Sequence, residues 1–304
     1  MQKIYVVAGA TASGKTSVAI ALAKEIGGEV ISADSMQVYT GMDIGTAKPS
    51  MDERENIPHH MIDVVTPDMT YSAALYQQQA RAAITDVQAR GHIPILCGGT
   101  GFYINAVLRD IDFAKDANPH SEYYVQMAVS NGTGFLHDLL KKIDPASAEA
   151  IHPNNTKRVI RALSYNHETG QLFSQYNETQ KKQPDVYSAV FCVLNMERSQ
   201  LYERINRRVG EMFENGLENE VARLMAKGYH SGLVSMQGIG YKETIEYLQG
   251  NITRAQAIET IQQNTRHYAK RQMTWFKNQN PDAVVINIDG KSPVDIAREI
   301  MRHA

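Results

Sequence analysis

Apolar positions along this chain come in two patterns, short unbroken runs and longer stretches with helical spacing. Ile4–Ala8, Glu29–Ala33, Ile93–Cys97, Ser188–Asn195 and Ala283–Ile288 are runs of strand length. His59–Val65 predicts a further strand with the acidic Asp63 inside it. Between these lie segments of period near 3.6. Val18, Ala19, Leu22 and Ile26 recur along Ser17–Ile26, and Ser72–Arg90 reads as a helix that starts at Tyr71–Ser72 and stops at Gly91. Leu201–Phe213 is another helix, and a short helix follows the last strand. From about Phe113 to Pro184 the strand pattern disappears. Helical segments there are separated by Asn118-Pro119, Asn131-Gly132, Asp144-Pro145, His152-Pro153 and Gly170. The clearest is Thr156–Thr169, capped by Asn154 or Asn155 and stopped by Gly170. Alternating strands and helices predict an α/β core over residues 1–112 and 185–304, with a helical insertion domain over 113–184.

The first turn of this core carries the strongest chemical signal. Gly9-Ala-Thr-Ala-Ser-Gly-Lys-Thr16 joins the first strand to the first helix, which is the setting of a phosphate-binding P-loop. The core is therefore expected to be a P-loop NTPase-like parallel sheet flanked by helices. Gly9 and Gly14 let the backbone turn its N–H groups toward phosphate oxygens, and the helix N-terminus adds positive partial charge. Lys15 supplies a point charge for the outer phosphates, and the Thr16 hydroxyl can ligate Mg²⁺.

In open α/β sheets the ligand crevice lies at the carboxyl ends of the strands. Asp34, Ser35 and Gln37 follow the second strand and should stand near the loop; Asp34 offers a general base or a Mg²⁺ partner, or caps a turn. Gly98-Gly-Thr-Gly-Phe-Tyr103 ends a later strand where many P-loop ATPases carry a carboxylate; Thr100 supplies a hydroxyl there, or an N-cap. Asp43–Pro49 alone reads as an ordinary surface loop with one lysine, and the His59–His60 pair as structural or solvated. Lys157, Arg158 and Arg161 form a basic patch, Arg204, Arg207 and Arg208 a second, and either is a solvated face or a phosphate contact. Arg266–Lys277 interleaves cations with Tyr268, Trp275 and Phe276, which suits a nucleic-acid surface or an amphipathic helix with aromatic core residues.

Composition narrows the class. The chain has 304 residues, 43% of them hydrophobic, and a net charge of −2, which indicates a globular protein with no global attraction to nucleic acid. Cys97 and Cys192 sit in apolar runs and read as buried thiols, outside any disulfide or zinc pattern. No signal-peptide pattern opens the sequence and no apolar stretch approaches a membrane span, so no membrane partner and a cytoplasmic location are expected.

Together, GATASGKT at 9–16, ADSMQVY at 33–39, DIGTAKP at 43–49, GGTGFY at 98–103 and RHYAKRQMTWFK at 266–277 resemble the tRNA dimethylallyltransferase (tRNA isopentenyltransferase) family of the bacterial type. The resemblance runs from the first strand to about Lys277. It implies transfer of a dimethylallyl group from dimethylallyl diphosphate to N6 of adenosine 37 in the anticodon stem-loop of tRNA, with Mg²⁺ as cofactor; oligomeric state stays open, with a monomer as the default expectation. Gly9, Ala10, Thr11, Ala12, Ser13, Gly14, Lys15 and Thr16, with an arginine of the 204–208 cluster taken as Arg208, would hold the diphosphate. Asp34 matches the family's catalytic aspartate, and Thr100 a position at the reacting centre. Together with these two, Ser35, Met36, Gln37, the segment Lys157-Arg158-Val159-Ile160-Arg161, and Gly238, Tyr241 and Lys242 match positions that meet the tRNA. The chain departs from the family in Gly238, where Ala or Val is common, and in Phe102, which replaces the leucine of GGTGLY and would repack a wall or reshape the isoprenoid channel.

Two other classes fit parts of the pattern. A P-loop kinase acting on a small metabolite with ATP explains the loop and Asp34, but gives the basic-aromatic helix no task. An RNA-binding nucleotide switch would be expected to carry Asn-Lys-x-Asp, which the chain lacks.

Overall fold

A computed structural model describes residues 3–111, 113, 120–181 and 183–304. The chain forms two compact units, Met1–Leu108 with Tyr187–Ala304, and Arg109–Val186. The expected boundary at residue 112 and the Asn118-Pro119 break lie outside the described residues.

In the first unit the chain runs through β1 (Lys3–Gly9), α1 (Lys15–Ile26), β2 (Gly28–Ser32), β3 (His59–His60), α2 (Ala73–Ala89), β4 (Ile93–Gly98) and α3 (Gly101–Leu108). The second unit holds α4 (Ser121–Asn131), α5 (Thr133–Ile143), α6 (Pro145–Ala150), α7 (Thr156–Thr169) and α8 (Phe173–Lys181). The first unit resumes with β5 (Ser188–Asn195), α9 (Arg198–Glu214), α10 (Leu217–Ala226), α11 (Tyr241–Leu248), α12 (Arg254–Gln279), β6 (Val284–Asn287) and α13 (Pro293–Met301).

Six parallel strands form one sheet in the order β3-β2-β4-β1-β5-β6. β1 and β4 are buried almost throughout, which is why their sequences are apolar without alternation. The order puts the ends of β2, β4 and β1 side by side. The three segments that follow them, 34–37, 99–103 and the 9–16 loop, therefore open on one edge.

The strand expected over His59–Val65 is a correction. Only His59 and His60 pair with β2, and Val65 returns as an isolated bridge to Tyr39. Met61 and Asp63 adopt positive φ (62° and 57°), which no extended strand tolerates. The histidines are structural, as expected: His60 Nε2 lies 2.7 Å from the buried Glu29 carboxylate, and His59 Nδ1 2.8 Å from the Ile57 carbonyl.

Within the second unit, Tyr124, Leu136, Leu140, Val159, Leu163 and Phe173 build a core of its own. Asn155 caps α7 and Gly170 ends it at φ 67°. Asp144, 1% exposed, accepts both the amide and the hydroxyl of Ser147 and of Ser174. Burial pushes its carboxyl up, but these four donors outweigh burial and hold it below the usual range.

Candidate active site

The P-loop is shaped by its own short side chains. Gly14 caps α1 at φ 81°, a conformation that a side chain would strain. Ser13 is buried and its Oγ donates to the Ala10 carbonyl at 2.8 Å; Lys15 Nζ donates to the same oxygen at 2.6 Å. Ala10 and Ser13 therefore build the loop, and their side chains are not offered to a ligand. The Thr11 amide is likewise spent, on Gln272 Oε1 at 2.8 Å, while the Thr11 hydroxyl accepts from Arg208 Nη1 at 3.1 Å. Of the loop residues expected at the diphosphate, Thr11 thus has its amide already engaged, and Ala10 and Ser13 can offer backbone only.

Two cavities meet here. The larger, about 610 Å³, is lined by Thr11, Ala12, Gly14, Lys15, Thr16, Asp34, Lys48, Arg204, Arg207 and Arg208, among others. The smaller, about 280 Å³, has mostly apolar walls from Ile205, Val209, Met212, Ile239 and Ile261, with Tyr268 and Thr265 beside them. Thr11, Asp34, Thr46 and Arg208 line both. A polar, cationic chamber thus opens onto an apolar one at the aspartate, which is the geometry of a ligand with an anionic head and a hydrocarbon tail.

Electrostatics at the junction are set by burial. It pulls the Lys15 ammonium down to about 8, with Arg208 lowering it further while Cys97 and Asp34 oppose. Burial also lowers Arg208, against the favourable charge of Asp34. An incoming anion relieves both strains. Of the three clustered arginines, Arg208 alone lines both cavities; Arg207 is 72% exposed and pairs with Glu211 at 3.7 Å.

Asp34 Oδ1 accepts the Met36 amide at 2.9 Å, which orients its carboxylate. Thr100 reaches the same segment: its Oγ1 accepts the Ser35 amide at 3.0 Å and lies 3.3 Å from Ser35 Oγ. Gln37 turns inward, with Ser32 Oγ on its Oε1 at 2.9 Å and its Nε2 near the carbonyls of Thr46 and Ala47. Cys97 and Cys192 are free and buried.

The Asp43–Pro49 segment is not the ordinary surface loop its sequence suggests. The Lys48 side chain is 4% exposed, and its ammonium donates to Asp43 and Asp63, each at 2.6 Å, and to the Tyr39 carbonyl. The amides of Asp43, Ile44 and Gly45 converge on the buried Glu220, which also takes the Tyr241 hydroxyl at 2.6 Å. Gly45 lies flat on the Tyr241 ring; a Cβ there would come within 2.5 Å of it.

The residues expected at the tRNA differ in exposure. Tyr241 is 1% exposed and Val159 and Ile160 are 1% and 7% exposed, so these three side chains are core. Helical spacing turns Lys157 and Arg158 outward instead, whereas Arg161 lies over the Phe173 ring. Gly238 and Met36 line the apolar cavity, and Lys242 stands 3.7 Å from Glu243. Gly238 has φ −58°, open to any residue, and a Cβ there would come within 2.5 Å of the flexible Met36 methyl and 3.3 Å of the Ser235 carbonyl oxygen. Phe102 is 41% exposed and lines neither cavity, so its replacement of leucine does not reshape this channel.

The Arg266–Lys277 segment divides its residues. Ala269, Gln272 and Phe276 form the buried stripe of α12, and Trp275 packs over Gly101, where a Cβ would come within 2.1 Å of its ring. Tyr268 enters the apolar cavity, its phenol pushed up to about 12 by burial and by Asp34, with hydrogen bonds to Thr100 and Gln272 opposing. Lys270, Arg271 and Lys277 stay exposed. Gln272, inside the 266–277 motif, and Glu220 went unread in the sequence, since the partners they hold lie far away along the chain.

Comparison with known proteins shows the family. The chain matches the IPP transferase family over residues 37–279. It is 44% identical to the tRNA dimethylallyltransferase of Lachnoclostridium phytofermentans over 304 residues, 99% of this chain and 97% of the relative. It is 46% identical to that of Bacillus subtilis, at 99% and 96% coverage. Among solved structures, the full-length tRNA isopentenylpyrophosphate transferase of Bacillus halodurans superimposes with a TM-score of 0.74 at 42% identity, covering 100% of this chain and 97% of the other. A eukaryotic dimethylallyltransferase acting on tRNA gives 0.82 at 29% identity, over 98% and 75%.

Proposed function

The chain belongs to the IPP transferase family, whose relatives here are tRNA dimethylallyltransferases, and on that premise we propose that it moves a dimethylallyl group from dimethylallyl diphosphate to N6 of adenosine 37 in tRNA. The enzyme class, a tRNA-modifying prenyltransferase, follows from the family; the donor, the atom and the site residues are the proposal. The observation that carries it is the junction of a cationic and an apolar cavity at Asp34, Thr11, Thr46 and Arg208.

In this reading the diphosphate lies against Lys15, the loop amides beyond Thr11, and Arg208, and the hydrocarbon crosses into the apolar cavity. The adenine amine is a weak nucleophile because its lone pair is delocalised into the ring. As N6 bonds to the donor's first carbon, the carbon–oxygen bond to diphosphate breaks, and Asp34 accepts the proton that N6 sheds. Lys15 and Arg208 stabilise the charge that collects on the leaving group. Mg²⁺ is usually held by few protein oxygens plus phosphates, and the Thr16 hydroxyl on the wall of the cationic cavity fits that donor set. Bound there, the ion would offset the charge of the leaving diphosphate. Adenosine 37 must leave its stack, at a cost of a few kcal/mol. The exposed Lys157 and Arg158 supply phosphate contacts of the kind that offset it. The working form is taken to be a cytoplasmic monomer.

A paired assay tests the reading. One arm supplies dimethylallyl diphosphate, Mg²⁺ and an anticodon stem-loop; the other supplies ATP and the same RNA. Prenylated adenosine 37 in the first arm, lost in Asp34→Asn, supports it. ATP consumption with a silent first arm returns the site to a kinase. Full activity in Asp34→Asn keeps the function and removes Asp34 as base.

A further inference from the structure

The geometry points to Gln272 as a positioning residue that fixes the spacing between the donor-holding and acceptor-activating halves of the site; this rests on the prenyl-transfer reading above. Gln272 sits on the buried stripe of α12 and is 6% exposed. Its Oε1 accepts the Thr11 amide at 2.8 Å, and its Nε2 donates to the Gly99 carbonyl at 2.9 Å.

Those two contacts end in different halves of the chemistry. Thr11 receives Arg208 on its hydroxyl and belongs to the phosphate loop. Gly99 precedes Thr100, which holds the Ser35 amide next to Asp34. The backbone ladder between β1 and β4 ends at the pair Ala8 and Gly98. Past that pair the two chains are no longer paired with each other, and the Gln272 amide acts as a side-chain rung that bridges them further on. The fit is tight, since a Cβ at Gly99 would come within 2.1 Å of Gln272 Nε2.

The amide carries both roles at any working pH. Methionine has similar length but no donor and only a weakly accepting sulfur, and an ionised carboxylate would face the Gly99 carbonyl with no proton to give. In group transfer the donor carbon must lie in line between leaving group and nucleophile, and a misplacement of about 1 Å costs on the order of 100-fold in rate. Losing the rung should therefore slow the chemical step while each half still binds its own ligand.

The test measures kcat, KM for both substrates, pyrophosphate affinity by calorimetry, and Tm, in wild type, Gln272→Met and Gln272→Glu. Gln272→Met is expected to lose about 30- to 100-fold in kcat, with both KM values and pyrophosphate affinity within about threefold of wild type. In Gln272→Glu the rate relative to wild type should rise as pH falls from 8 to 6, because a protonated carboxyl regains a donor for Gly99 and an acceptor for Thr11. That readout does not depend on the methionine variant folding well. Unimpaired kcat in Gln272→Met overturns the proposal. So does a joint loss of Tm, pyrophosphate binding and both KM values, or a flat pH ratio in Gln272→Glu. A silent wild type overturns the prenyl-transfer reading along with this one; an active wild type with an unimpaired variant overturns this one alone.

Discussion

Raising the pH from 7 to 9 should weaken the binding of pyrophosphate about tenfold through Lys15 alone. Burial pulls this lysine down to about 8, so the free protein holds its charge over about nine-tenths of molecules at pH 7 and about one-tenth at pH 9. Binding a polyanion in the cavity that Lys15 lines restores the ammonium, and at pH 9 the complex should take up about 0.9 of a proton at that residue. The sign for the empty protein is opposite. Between about 8 and about 10.4 the unfolded chain carries the proton that the folded chain lacks, so Lys15 makes ligand-free stability rise with pH in that window. Affinity thus falls where stability gains. Calorimetry in two buffers of different ionisation enthalpy gives the proton uptake directly. Pyrophosphate titrates in the same range, so the quantity to read is the difference between wild type and Lys15→Arg, whose guanidinium stays charged. A difference near zero at pH 9 would refute the reasoning, because it would mean that Lys15 enters the empty site already charged.

Other outcomes follow from the same contacts. Arg208→Lys keeps the charge but loses the donor fork that reaches Thr11 and the cavity, and should weaken pyrophosphate about tenfold in the same calorimetric titration. Glu220→Gln puts an NH₂ among four donors and should cost about 2–4 kcal/mol in urea unfolding, with Tyr241→Phe nearer 1 kcal/mol. Gly101→Ala drives a methyl into the Trp275 ring and should cost about 1–3 kcal/mol, partly recovered by Trp275→Leu in the double variant.

Much of the core was legible because it is written in local pattern. β5 spans the predicted Ser188–Asn195, and α7 the predicted Thr156–Thr169 with its asparagine cap and terminal glycine. Such signals need only neighbours within a turn. The strand over His59–Val65 failed because positive φ at Met61 and Asp63 is imposed by distant contacts: Lys48 takes Asp63, and the Gln37 carbonyl takes the Asp63 amide. The cations and aromatics of Arg266–Lys277 left a nucleic-acid surface and an amphipathic helix with aromatic core residues both open; the helical period sends Gln272 and Phe276 inward and leaves Lys270 and Lys277 outside. Spacing alone showed that α12 has two faces but not which one meets the phosphate loop.

What the sequence could not show is how the pieces are held in register. Strand ends place Asp34, Thr100 and the phosphate loop on one edge, since β2, β4 and β1 are adjacent. A sheet edge alone leaves loops free to settle at different separations. Two polar side chains from later helices remove that freedom. Gln272 reaches back 261 residues to Thr11, and Glu220 reaches back 177 residues to Asp43. Each is one polar letter in an amphipathic helix, and a buried amide or carboxylate reads like a solvated one until its partners are known. Burial gives them their effect, because an unmade hydrogen bond costs most where water cannot replace it. Arg208 apart, the chemistry-bearing residues are therefore clustered early in the chain, while the groups that set their distances come from its last third.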